Sequence, residues 1–147
     1  MSDRKAAVGT IVVGVDGSAS SLRALQWSLA QAERTGSNVV AVLAWRAPSG
    51  YGTGSLVPRG AQWAADAKAA LESSAAPACE ARPRVPVELR AVEGHPAAVL
   101  LHEAEHADLL VVGSRGRGAF AGALLGSVSL HCIRYANCPV VVVNDNA

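Results

Sequence analysis

The sequence predicts a three-layer α/β sandwich, a parallel sheet covered by helices on both faces, and three observations carry that prediction. Thr10–Val15, Val39–Trp45, Asp108–Val112 and Val140–Val143 are short, nearly continuous apolar runs, the pattern of strands buried on both sides. The segments between strands carry one-sided apolar spacing or Ala-rich helical composition. Strands separated in this way by helices are joined by right-handed crossovers, which parallel pairing requires.

Taken in order, the first strand stops at Asp16-Gly17-Ser18, and Leu22, Leu25, Leu29 and Ala32 then mark one face of a helix. Ser18 is placed to cap its start and Gly36 to close its end. After the second strand, Pro48 to Gly60 is rich in Gly, Ser and Pro and reads as a long loop. Within it, Leu56-Val57-Pro58-Arg59-Gly60 matches a protease recognition sequence and is read as native loop. Gln62 to Ala76 is Ala-rich and helical, with Pro77 expected to end it. Val87–Val92 sets Val87, Leu89 and Ala91 against Glu88 and Arg90, the alternation of an edge strand with one exposed face. Pro96 opens a helix expected to run to about His106. Ser127 to Asn137 reads as the last helix, with a short extra turn allowed between Arg117 and Leu125. One domain over residues 1–147 is expected, without internal repeats.

Half of the residues are hydrophobic, 17% are charged and the net charge is +1, which describes a well-buried globular chain. The Lys and Arg residues are scattered, so no nucleic-acid face is expected. Every apolar run is too short to span a bilayer, and no signal peptide is visible, so no membrane association is expected. Cys79, Cys132 and Cys138 form no CxxC pair and read as small buried side chains of a cytoplasmic protein.

The chemistry is concentrated after the fourth strand, in V-G-S-R-G-R-G-A-F-A-G-A-L-L-G-S-V-S from Val112. Glycines at such a turn let backbone N–H groups converge into an anion nest. A helix opening near Ser127 adds free N–H groups and a positive dipole end, with Ser127 and Ser129 as hydroxyl donors. The alternative is a tight turn and nothing more. Walker A is absent and no general base follows the loop, so no catalytic residue is assigned.

Gly113-x-x-Gly116-(nine residues)-Gly126-Ser127, together with Val12-Val13-Gly14-Val15-Asp16-Gly17-Ser18 and the ending Cys138-Pro-Val-Val-Val-Val, resembles the ATP-binding branch of the universal stress protein family over nearly the whole chain. The resemblance implies a Rossmann-like adenine nucleotide fold with strand order 3-2-1-4-5 and a site where strands one and four meet. It implies that Gly14 and Asp16 lie beside the ribose or metal-bound phosphates, and that the Trp45 backbone reads the adenine edge. Gly113, Ser114, Arg115, Gly116, Arg117 and Gly118 would line ribose and phosphates, with Gly126, Ser127, Val128 and Ser129 at the terminal phosphates. ATP is the implied ligand, with Mg²⁺ on its phosphates. Gly14 stands where many relatives have proline and Ala44 where many have histidine. The resemblance also implies a sensor or regulator in stress response, with no readable protein partner, and a homodimer through the exposed apolar edge Val140–Val143.

Rival readings attach to other residues. Ser127 or Ser129 could accept a phosphoryl group, making a slow ATPase or self-phosphorylating switch. His102-Glu103-Ala104-Glu105-His106 fits the zinc hydrolase pattern H-E-x-x-H, against the simpler reading of a solvated helix face. His131 is the one later histidine and has no spacing that makes it a third ligand, so no metal ligands are assigned. His95 reads as a loop residue at a helix start, and Trp27 and Trp63 as packing residues.

Overall fold

Isoleucine and valine side chains, stiff at χ1 and suited to a pleated surface, build the centre of the sheet. The computed structural model describes residues 9–47, 59–115 and 125–144. Five parallel strands, β1 (Thr10–Gly14), β2 (Asn38–Trp45), β3 (Val87–Glu93), β4 (Leu109–Gly113) and β5 (Val140–Val143), lie in the order β3-β2-β1-β4-β5. Helices α1 (Ala19–Thr35), α2 (Arg59–Ala81), α3 (Pro96–Glu103) and α4 (Ser127–Tyr135) complete the described elements.

Alternation along each strand divides the interior in two. Ile11, Val13, Val39 and Val111 face α1 and α2, packing with Leu25 and Leu71. Val12, Val42, Leu110 and Val112 face α3 and α4, packing with Leu100 and Cys132. Burying one such Val or Leu contributes about 1.5–3 kcal/mol, and aromatic rings are not needed to fill either layer.

The helix signals act as their chemistry requires. The Ser18 side chain accepts from Ser21 N–H at 3.2 Å and caps α1. Gly36 ends α1 at φ 77°, in the left-handed region, and returns its N–H to the Ala32 carbonyl at 2.8 Å.

Several boundaries differ from expectation. α2 begins at Arg59, inside the expected loop, and passes through Pro77 to Ala81. Pro77 is exposed, so the Ser73 carbonyl that loses its N–H partner faces water. Ala78 and Cys79, packed on the first core, hold the last turn in place. α3 stops at Glu103, short of His106. Ala104 is buried, and the 3.0 Å bond from Ala107 N–H to the Ala104 carbonyl turns the chain toward β4. Asp108 stands outside β4, its carboxylate accepting Thr10 N–H at 2.8 Å and pinning the entrances of β1 and β4 together. α4 ends at Tyr135, because Ala136 is extended (φ −69°, ψ 148°) and Pro139 favours extended backbone at Cys138 before it. The extra turn allowed between Arg117 and Leu125 falls almost wholly on residues outside those described.

Among the described residues no helix is long and apolar enough to cross a membrane. β3 and β5 are the two sheet edges.

Candidate functional site

β1 and β4 are neighbours in register, Ile11 opposite Leu109 and Val13 opposite Val111, yet their chains leave to opposite faces. α1 follows β1 onto one layer, while the segment after β4 leads to α4 on the other. In open α/β sheets such a divergence marks the crevice, at the carboxyl ends of the two strands, where ligands bind.

The β1 wall is a tight polar turn. Val15 extends the ladder with its N–H on the Val42 carbonyl at 2.8 Å, and Gly17 then takes φ 86°, a conformation suited to glycine. Asp16 Oδ1 accepts from Ser18 N–H at 2.9 Å and from the Ser18 hydroxyl at 2.5 Å. Asp16 N–H donates to Ser21 Oγ at 3.1 Å. The carboxylate is thus held at the crevice mouth by the cap of α1. Gly14 faces α3, where a Cβ would lie 2.8 Å from Leu100 Cδ1.

The β4 wall is tied on three sides. Ser114 N–H donates to the Val143 carbonyl at 2.8 Å, and Gly126 N–H donates to the Ser114 carbonyl at 2.7 Å. The Ser129 hydroxyl donates to the Gly113 carbonyl at 2.8 Å. Gly126, the residue before α4, makes no side-chain cap hydrogen bond, so the first-turn N–H groups of Ser127, Val128 and Ser129 receive no cap from it. A helix start of this kind attracts an anion. Gly113, Ser114, Arg115, Gly126, Ser127, Val128 and Ser129 are therefore gathered at one end of the sheet. Gly116, Arg117 and Gly118 lie outside the described residues.

Two expected contributions take a different form. Ser129 is buried and its hydroxyl proton is committed to Gly113, which leaves the exposed Ser127 as the hydroxyl at the helix mouth. The Trp45 carbonyl accepts Gly94 N–H at 2.8 Å and so points toward β3. By alternation the backbone of Ala44 is directed toward β1 and the crevice.

Sequence reasoning missed Ser20. Its side chain sits against the place where a Cβ on Gly113 would stand, 2.3 Å from Ser20 Oγ. Nothing in the spacing D-G-S-x-S-S separates it from its capping neighbours, since only the strand order brings α1 over β4.

The zinc pattern does not assemble on a helix. His106 lies beyond the end of α3, and the Glu103 carboxylate is engaged by Arg90, with Nε 2.8 Å from Oε1. Among the described residues no group of three or more His, Cys, Asp or Glu could hold a metal ion. His95 caps α3, its Nδ1 accepting Ala97 N–H at 3.2 Å. Trp27 is 36% exposed on α1 and Trp63 is half-buried. Burial raises the thiols of Cys79, Cys132 and Cys138, Cys132 to about 11, so all three are protonated and weakly nucleophilic at neutral pH.

A parallel sheet in the order β3-β2-β1-β4-β5, whose direction of winding reverses between β1 and β4, defines the class as a doubly wound open α/β fold. The universal stress protein family profile matches residues 8–144, and the chain belongs to that family. A universal stress protein of Mycolicibacterium smegmatis is 38% identical over 136 residues, covering 90% of this chain and 45% of the relative. One from Mycobacterium tuberculosis is 36% identical over 139 residues, 92% of this chain and 45% of that protein. The chain thus spans less than half the length of these curated relatives. A solved universal stress protein in complex with cAMP is 33% identical, with a TM-score of 0.71 over 95% of this chain and 98% of that one. An Arabidopsis thaliana family protein with AMP bound is 27% identical, with a TM-score of 0.63 over 95% and 93% of the two chains.

Proposed function

We propose that this chain binds an adenine nucleotide, ATP with Mg²⁺ on its phosphates, and acts as a nucleotide-dependent regulator in stress response. The observation that carries the reading is the convergence of the uncapped start of α4, the end of β4 and the pinned Asp16 on one crevice. It is supported by the cAMP and AMP held by relatives of the same fold. In this reading the first turn of α4 takes the terminal phosphates, and Gly116, Arg117 and Gly118 complete the nest. The base lies toward the end of β2. Mg²⁺ would draw most of its oxygens from phosphate and water, since Asp16 Oδ1 already accepts two hydrogen bonds.

Four or five charge-assisted bonds at about 1.5–3 kcal/mol each, less the cost of immobilising the nucleotide, reach the about −8 kcal/mol of a micromolar complex. Ligand at a hundred times its dissociation constant then adds about 2.7 kcal/mol of stability. A thermal melt should rise by about 3–6 °C with ATP and Mg²⁺, and by less with an inorganic polyphosphate of equal charge. An unmoved melt with both ATP and ADP would count against the reading. If phosphoryl transfer occurs at all, the exposed Ser127 is its acceptor rather than the buried Ser129. A cytoplasmic location and a homodimer through β5 belong to the same proposal.

A further inference from the structure

We infer that Ser20 is a positioning residue of this crevice, clamping the start of the glycine-rich segment to α1 and to the end of β5. Its functional consequence rests on the nucleotide reading above, but the clamp can be tested without ligand. Ser20 lies in the first turn of α1 and is 3% exposed. Its hydroxyl accepts from Arg115 N–H at 3.4 Å and donates to the Val143 carbonyl at 3.5 Å. The same Val143 carbonyl takes Ser114 N–H, so one carbonyl at the sheet edge anchors two consecutive points of the wall.

The fit beneath the clamp is close. A Cβ on Gly113 would meet Ser20 Oγ at 2.3 Å and the Ser20 backbone carbon and oxygen at 2.7 and 2.8 Å. Backbone cannot give way as the end of a flexible side chain can, so glycine at 113 lets α1 seat on β4. The same helical turn carries Ser18 and Ser21, which fix Asp16 on the opposite wall. One turn of α1 thereby sets the separation of both walls. Alanine would serve the helix better than serine, and burying a hydroxyl is costly unless it is bonded. The serine is accounted for by the two bonds it makes across the crevice.

Ser20→Ala tests this with two measurements. In nucleotide-free protein, amide hydrogen exchange at Arg115 should quicken by about three- to tenfold, the scale of one neutral hydrogen bond, while Ser114 keeps its protection because its acceptor remains. In the second, ATP affinity should fall by about three- to tenfold and adenosine affinity by clearly less, since adenosine meets this wall only through its ribose. Unchanged exchange at Arg115, or equal weakening of ATP and adenosine, would overturn the positioning role. If the parent protein binds neither ligand, the nucleotide reading fails, while the exchange measurement still decides whether the clamp exists.

Discussion

Ser127 and Ser129 look interchangeable in the string S-V-S, yet one faces water and the other is sealed under the Gly113 carbonyl. Two positions along a helix turn the side chain through about 200°, so only one of the pair can face outward. Ser18 and Gly36 were legible because their roles are local, each bonding within a few residues. Ser20 and Asp108 were not, because their partners lie about a hundred residues away. Cys132, on α4, is fully buried. Burial lifts its thiol from the usual 9.0 to about 11, so the folded protein keeps a proton that the unfolded chain loses. Stability is then complete below about pH 9 and falls as pH rises through about 11, by at most about 2.7 kcal/mol for this group. Cys79 and Cys138 shift in the same direction and add to the slope. Urea unfolding at about pH 8 and about pH 10.5 should show the loss, and Cys132→Ala should make the profile shallower despite lower overall stability. A variant with the parent's slope would contradict this assignment.

Periodicity and caps agree in α1, which the sequence therefore marks clearly, whereas a single residue such as Pro77 is a weaker guide. Pro77 was expected to stop α2, but a proline ends a helix only when nothing else holds the next turn. Here Ala78 and Cys79 are packed on the core. The expected extension of α3 to His106 overlooked the buried Ala104 and the turn needed to reach β4. Pro77→Ala should restore the missing backbone bond on the exposed side of α2. It should raise the unfolding free energy by about 1–3 kcal/mol, read as a higher urea midpoint with an unchanged slope. A lower midpoint would mean that the proline is compensated in the folded state or limits the unfolded one.

At the scale of the whole molecule, the layers followed from the alternation of apolar runs and helices, whereas the strand order came only through the family likeness. Composition cannot say that β1 lies beside β4, and the crevice exists because it does. The same order leaves β5 at an edge. Val143 and Pro139 turn their carbonyls to β4, so by alternation Val140 and Val142 direct their backbone groups outward. The proposed homodimer would pair those groups with a second copy. Val142→Pro removes an outward N–H without touching the bonds to β4, and should shift sedimentation at micromolar concentration from dimer toward monomer. A parent protein that sediments as a clean monomer would rule the interface out.

The proposed function requires one adenine nucleotide at the ends of β1 and β4. Equilibrium dialysis of the purified protein against ATP and Mg²⁺ tests it most directly. Binding should saturate near one nucleotide per chain with a dissociation constant on the order of micromolar, and should be lost in Gly116→Glu, since a negative side chain would repel the phosphates. Absence of bound ATP at millimolar concentration, or undiminished binding by the variant, would contradict it.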